Sequence, residues 1–340
     1  MTHLFFFLKR FGRSLHRGRL DKILAMLFVI LIVGTLGIIY FEPPISLLDA
    51  AWWTIVTITT VGYGDITPVT LGGRAVGALL MFFGIGFLGM FTATLASMFI
   101  ESRVQEAKGM KPVKVTQHFL ICGWNYKARE ILEELRADKK TQHCPIVVIA
   151  ELKEKPVEDD NLHFVNGVVS RETLEKANSQ EAQVAIVLAD EKVDFHARDA
   201  KTILDTLTIK TTSPHLYVCV ELVDHKNVDH CKMAKADEII VTGELSTNLL
   251  VQAALDHGVT QIITELVSNR FGSIIFKLPA PREFIGKPFL EVFTRLKTER
   301  DLTTLAVECQ EEGRFLANPQ NSYIIQAADQ LVVIGKERPL

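Results

Sequence analysis

The run Thr59-Thr60-Val61-Gly62-Tyr63-Gly64-Asp65 holds the densest chemistry in this 340-residue chain. Glycines at alternate positions allow backbone conformations that turn successive carbonyls onto one axis, and the Thr60 hydroxyl adds an oxygen at the lower end. Val61 and Tyr63 would then pack outward and hold the loop. The plainer reading is a hairpin turn around Gly62 and Gly64, since glycine is common in turns. A second candidate is Gly123-Trp124-Asn125-Tyr126-Lys127-Ala128, a partial G-x-G-x-x-G/A fingerprint. Asn125 stands where a middle glycine would let the backbone approach a pyrophosphate. Glu151, at the end of the next apolar run, suits ribose hydroxyls, and Lys127 suits a phosphate. The alternative is an empty structural sheet with a surface glutamate. Carboxylates also cluster at Asp190, Glu191 and Asp194, and Glu221 stands at the end of a later apolar run. Glu221 heads a group with Asp224, His225, Asp229, His230 and Cys231 whose types suit a borderline metal such as zinc. That spacing matches no regular ligand pair, so a surface helix explains it better.

Two uncharged stretches bracket the first motif: residues 23–41, of 19 residues, and 75–100, of 26. At about 1.5 Å rise per residue they make helices of about 28 and 39 Å against about 30 Å of hydrocarbon, so both read as spans. A cleaved signal peptide competes for the first, but the stretch is long for one and no A-x-A site follows. Lys9, Arg10, Arg13, Arg17, Arg19 and Lys22 precede the first span, whereas 42–73 holds no Lys or Arg. The positive-inside rule therefore puts both termini in the cytoplasm. Residues 4–8, with Phe5, Phe6 and Phe7, suggest an interfacial helix or a frayed tail.

Pro43-Pro44 ends the first span, and Ser46 with Asp49 forms a capping pattern for a short helix through Trp52 and Trp53 to about Thr59. Too short to cross, it reads as re-entrant, and its negative C-terminal end at the membrane centre favours a cation. Trp52 and Trp53 read as a cuff around the loop. Asp65 faces the outer mouth, where it either concentrates cations or hydrogen-bonds behind the loop. In the second span Gly84 and Gly86 are small residues that permit close helix contacts. Neither span carries spaced arginines, which excludes a recognisable voltage sensor.

Residues 101–116 are polar, contain Gly109 and Pro112, and read as a linker. Beyond them, strands at 118–122, 145–150, 162–165, 184–189, 216–221 and 238–242 alternate with helical segments, the first at 128–135. That order predicts a Rossmann-like doubly wound, mainly parallel sheet. Helices at 246–257 and 260–270 follow, then strands at 274–278, 303–308 and 330–334. With 48% hydrophobic and 23% charged residues, the chain is a mixed membrane and soluble protein. A net charge of -3 argues against a nucleic-acid partner, and five cysteines without a C-x-x-C pair read as reduced thiols.

Placed between two spans and after a short helix, the first motif resembles the signature of potassium channels, in which T-V-G-Y-G loops from four subunits stack oxygen rings that replace the ion's hydration shell. Residues 113–340 resemble an RCK (regulator of potassium conductance) domain. The likeness rests on Phe119-Leu120-Ile121-Cys122-Gly123-Trp124, Phe164-Val165-Asn166-Gly167, Leu174-Glu175-Lys176-Ala177 and Asp329-Gln330-Leu331-Val332-Val333-Ile334-Gly335. The whole is similar to a prokaryotic two-span potassium channel with one RCK domain per subunit.

The resemblance implies K⁺ bound at Thr60, Val61, Gly62 and Tyr63, with Gly64 completing the filter, and a gating hinge at Gly84 or Gly86 where the second span bends to open. It implies a homotetramer in the lipid of the cell (inner) membrane, its RCK domains paired into a gating ring. Gating would follow an adenine nucleotide (NAD, ADP or similar) at Gly123, Asn125, Lys127 and Glu151, or Ca²⁺. Some members hold calcium by carboxylates at the ends of the fourth and fifth strands. Here Glu221 matches one such position, Leu188 and Val223 stand at others, and Asp190 is a nearby substitute. The implied domains are an N-terminal cytoplasmic segment (1–22), a pore module (23–100), a linker (101–116), a Rossmann-like lobe (117–243), a helical crossover (244–271) and a small α/β C-terminal lobe (272–340). Two other readings are an NAD-linked membrane enzyme, for which no catalytic acid or base stands near the fingerprint, and a channel whose RCK domain is purely structural.

Overall fold

A computed structural model describes residues 20–309 and 313–338, so the expected interfacial segment at 4–8 and the basic residues Lys9 to Arg19 lie outside the described residues. The chain forms two compact units, Met1–Gln105 and Glu106–Leu340.

In the first unit, helices α1 (Leu20–Phe41) and α3 (Leu71–Ala107) are apolar and long enough to cross a bilayer, whereas α2 (Leu47–Ile58) has 12 residues, about 18 Å, and is not. Ser46 caps α2, accepting the Asp49 N–H at 3.1 Å and donating its hydroxyl to the Asp49 carboxylate at 2.8 Å. Two small residues set how closely α1 meets its neighbours. A Cβ on Gly34 would lie 2.8 Å from Leu80 and 2.9 Å from Thr54, and one on Gly37 would lie 3.1 Å from Val76. Ile38, Ala50, Trp53, Ile58 and Leu80 close the core of this unit. Glu42 joins the end of α1 to the start of α3, accepting the Thr70 N–H and hydroxyl, each at 2.7 Å. Thr70 in turn accepts the Gly73 N–H at 3.0 Å as the N-cap of α3. Helix α3 runs on to Ala107, so the first residues of the expected linker are helical; Glu101, Arg103, Gln105 and Glu106 are good helix formers.

The second unit opens with a parallel sheet of six strands: β1 (His118–Cys122), β2 (Ile146–Ala150), β3 (Leu162–Asn166), β4 (Ala182–Val187), β5 (Tyr217–Leu222) and β6 (Glu238–Val241). Their order is β3-β2-β1-β4-β5-β6, the doubly wound arrangement, with the order reversing between β1 and β4. Both faces are covered, which is why β1 and β2 read as continuous apolar runs and not as alternation. Helices α4 (Tyr126–Ala137), α5 (Arg171–Lys176), α6 (Phe195–Thr212) and α7 (Val228–Met233) make the crossovers. Strand β4 ends at Val187, short of the expected 189, although the Leu188 N–H still reaches the Cys122 carbonyl at 3.0 Å.

Helices α8 (Thr242–Leu255) and α9 (Val259–Val267) follow and bury no residue within the chain, leaving Leu250, Leu255, Ile262 and Val267 exposed. The last lobe is an antiparallel sheet ordered β7-β10-β8-β9, from β7 (Ile274–Pro279), β8 (Thr303–Cys309), β9 (Arg314–Ala317) and β10 (Gln330–Gly335). Helix α10 (Phe289–Arg300) packs Phe289, Val292 and Leu296 against it. Strand β9 is additional to the strands expected at 274–278, 303–308 and 330–334. It is a four-residue edge with mostly exposed positions and carries no periodic signal.

Candidate functional site

The loop after α2 folds back on its own helix. The Val61 N–H donates to the Val56 carbonyl at 3.0 Å and the Thr60 N–H to Thr57 at 3.1 Å. Positive φ recurs at alternate residues, 61° at Thr60, 54° at Gly62 and 76° at Gly64. In a strand, successive carbonyls point to opposite sides; a backbone whose φ alternates in sign brings them toward one side. Glycine takes the left-handed conformation at little cost, while Thr60 meets the steric penalty of its Cβ.

The two adjacent tryptophans part company. Trp52 stacks on Tyr63, ring centroids 5.9 Å apart and planes 6° apart, and its Nε1–H donates to Asp65 Oδ2 at 3.0 Å. Trp53 turns away into the core with Ile38 and Leu80, so the expected cuff of two tryptophans is one. Asp65 is engaged by hydrogen bonding behind the loop. The two glycines of α3 also separate. A Cβ on Gly84 would meet Ile58 at 2.9 Å, which makes it a packing residue under the end of α2, whereas Gly86 has nothing within 4 Å of that position.

In the second unit a cleft of about 290 Å³ opens at the C-terminal ends of β1, β2 and β4, where the strand order reverses. Gly123, Asn125 and Glu151 line it. Gly123 has φ 99° and donates its N–H to Ile149 at 2.9 Å, so it makes the tight turn out of β1. Asn125 is the N-cap of α4, its Oδ1 accepting the Ala128 N–H at 3.1 Å while its Nδ2 donates to Ala189 at 3.3 Å. One of the amides that a pyrophosphate would meet is thereby already satisfied.

Lys127 is held away from the cleft's lining. Its Nζ lies 2.6 Å from Glu221 Oε1 and 3.5 Å from Glu191. Burial alone would lower its pKa; the hydrogen bond and charge of Glu221 outweigh this and raise it. Glu221, 7% exposed, spends its other oxygen on the Ala189 N–H at 3.1 Å. Asp190 is paired with Lys201 at 2.5 Å. At the expected metal site, Glu221 and Asp190 are each paired with a lysine, and among the described residues no three His, Cys, Asp or Glu side chains come together as a metal group.

Sequence reading missed Asp205 and Lys201, which line the cleft from α6. Burial, reinforced by the charge of Asp190 and opposed by Lys201, pushes Asp205 up to about 6. The signal was topological: a helix must join β4 to the parallel β5 and pass this cleft.

Known proteins share both units. A family described as ion channel matches residues 25–101, and the TrkA-N domain matches residues 119–242. The calcium-gated potassium channel TvoK of Thermoplasma volcanium is 30% identical over 293 residues, covering 85% of this chain and 82% of that protein. The putative potassium channel protein YugO of Bacillus subtilis is 33% identical over 234 residues, 67% of this chain and 69% of that one. Among solved structures, the human SLO3 gating ring has a TM-score of 0.51 at 19% identity, over 64% of this chain and 44% of that chain, a likeness of fold.

Proposed function

The chain belongs to the family of prokaryotic potassium channels that carry a TrkA-N (RCK) domain behind a two-helix pore, and on that premise we propose how its residues conduct and gate. It is a membrane channel and not an enzyme. Four copies surround one axis, and Thr60, Val61, Gly62, Tyr63 and Gly64 line it as the selectivity filter, their carbonyls and the Thr60 hydroxyl replacing the water around K⁺. Asp65, tied to Trp52, braces the filter's outer end. The observation that carries this reading is the alternating sign of φ from Thr60 to Gly64 in a loop that follows a helix too short to span. Both termini lie in the cytoplasm of a cell whose inner membrane holds the pore.

Gating starts in the cleft between β1 and β4. An adenine nucleotide places its ribose on Glu151 and its phosphates at Gly123 and Asn125, and draws Lys127 from Glu221. TvoK is named calcium-gated; in this chain a divalent cation at the strand ends would first have to displace Lys127 and Lys201, which favours the nucleotide. The exposed apolar faces of α8 and α9 support pairing of cytoplasmic domains into a ring. A ligand favouring the open ring by about 1 kcal/mol at each of several sites moves the gate across most of its range. Of the two glycines in α3, Gly86 is the hinge, because Gly84 is committed to packing.

The test is single-channel recording of purified protein in planar bilayers under a K⁺ gradient, with ADP added to the cytoplasmic face. Reversal at the K⁺ equilibrium potential, with opening that depends on ADP and is lost on Glu151→Gln, is expected. Selective current after Tyr63→Ala would overturn the filter assignment, and ADP-indifferent current would overturn the gating one.

A further inference from the structure

The cleft at the ends of β1, β2 and β4 carries the wrong sign of charge for a nucleotide. Four carboxylates line it, Glu151, Asp190, Glu191 and Asp205, against two lysines, Lys192 and Lys201. Lys127 stands behind this lining, and its charge is answered by Glu221 at 2.6 Å. The positive end of α4 restores about half a unit charge. With every group ionised the lining keeps about one and a half surplus negative charges, and a terminal phosphate adds about one and a half to two more.

Three of the four carboxylates have a cation or open water beside them. Asp190 is bonded to Lys201 at 2.5 Å and accepts the Lys192 N–H at 3.0 Å. Glu191 lies 3.5 Å from Lys127, and Glu151 is exposed. Asp205 differs. It stands on α6 one turn beyond Lys201, is half-buried, and its carboxyl group has no ion pair or hydrogen bond among the described residues. Its neighbour on β1 is Cys122, a buried thiol whose pKa is pushed up by burial and by the charge of Asp205, so it stays neutral. Burial and the charge of Asp190 outweigh Lys201, which is engaged by Asp190, and hold Asp205 at about 6. Among these groups Asp205 is therefore the one that gives up its charge most readily when another anion enters.

We propose that Asp205 sets the charge preference of this cleft: an adenine nucleotide binds together with one proton, taken up by the Asp205 carboxylate. The inference rests on nucleotide binding in the cleft as proposed above. The proton comes from solvent and forms the O–H bond on Asp205; no other bond is made or broken. Because the complex then holds more protons than the free protein, affinity falls as pH rises, by at most tenfold per pH unit for one proton. At low pH Asp205 already carries the proton and the dependence ends. Each further charge on the ligand strengthens the coupling, so the cleft disfavours the more highly phosphorylated nucleotides most strongly at alkaline pH. Opening by nucleotide then increases as the cytoplasm acidifies.

The test is calorimetric titration of ADP into the full chain in phosphatidylcholine nanodiscs between pH 5 and 8, for the parent and for Asp205→Asn, which keeps the size and removes the titration. At pH 7 the titration is repeated in two buffers of different ionisation enthalpy, which reads the protons taken up. The phosphate of ADP itself titrates near 6, so the difference between the two proteins carries the result. A like charge entering the cleft moves a carboxylate's titration by about one pH unit or more, so the parent should bind about fivefold more weakly than the variant at pH 7 and about tenfold more weakly at pH 8, with equal affinities at pH 5. The gap should be smaller for AMP than for ADP. If the variant does not fold, net proton uptake by the parent at pH 7 supports the proposal and its absence overturns it. Equal pH profiles in the two proteins, or weaker binding by the variant at pH 8, overturn the proposal and leave nucleotide binding standing. Absence of ADP binding to the parent at every pH overturns nucleotide binding in this cleft, and the proposal with it.

Discussion

Replacing Glu221 by glutamine should tighten nucleotide binding, although Glu221 need not touch the nucleotide. Its carboxylate lies 2.6 Å from the Lys127 ammonium, and the side chains are 7% and 29% exposed, so the pair is largely shielded from water. In this arrangement a ligand phosphate at the start of α4 competes with a carboxylate for the same lysine. Glutamine removes the competing charge and retains an oxygen that accepts the Ala189 N–H now held at 3.1 Å. A hydrogen bond to a charged group contributes about 1.5–3 kcal/mol. Lys127 keeps some contact with water and with Glu191, so the lower end applies: about 1.5 kcal/mol, or roughly tenfold in Kd. The assay is calorimetric titration of ADP into the purified full chain, beside thermal melting followed by circular dichroism. Lys127→Met should move affinity the opposite way by a similar factor. If Glu221→Gln protein with an unchanged melting temperature binds ADP no more tightly than the parent, Lys127 is a structural residue and the competition argument fails.

Other expectations follow from single contacts. Trp52→Phe keeps the ring that stacks on Tyr63 but removes the donor to Asp65, and should shorten single-channel open bursts through loss of about 1–3 kcal/mol behind the filter; bursts of parental length would refute the bracing role. Gly84→Ala sets a methyl 2.9 Å from Ile58 and should lower pore-module stability by about 1–3 kcal/mol in detergent melts, whereas Gly86→Ala should leave melting alone and change open probability. Two groups of the second unit give opposite pH dependences. Asp205 is raised to about 6 mainly by burial, so its contribution to stability is complete below its ordinary value of 3.8 and is lost as pH rises through 6. His118 is lowered to about 4 mainly by burial, so its contribution is complete above 6.5 and is lost as pH falls through 4. Denaturation across that window should therefore show Asp205→Asn removing a fall of stability with rising pH, and His118→Gln removing a fall with falling pH.

Local chemistry made much of this protein readable from one dimension. The lengths of the uncharged runs decided what crosses a bilayer, the capping pair Ser46 and Asp49 started α2, and alternate glycines announced the φ pattern of the loop, because each depends on residues within a few positions of one another. The parallel sheet was legible for the same reason: strands buried on both faces must be apolar throughout. Pairing across long stretches of chain was not. Lys127 and Glu221 are 94 residues apart, and only the adjacency of β1, β4 and β5 brings them together, turning an apparent phosphate ligand and an apparent metal ligand into one ion pair. Residue type likewise said nothing of Trp52 against Trp53, or Gly84 against Gly86. Neighbouring positions on a helix point 100° apart about its axis, and what each meets is decided by the helix packed beside it. The Lys139–Glu337 pair joins positions 198 residues apart, where no periodicity or motif reaches, and it exists only once the last lobe has docked on the first.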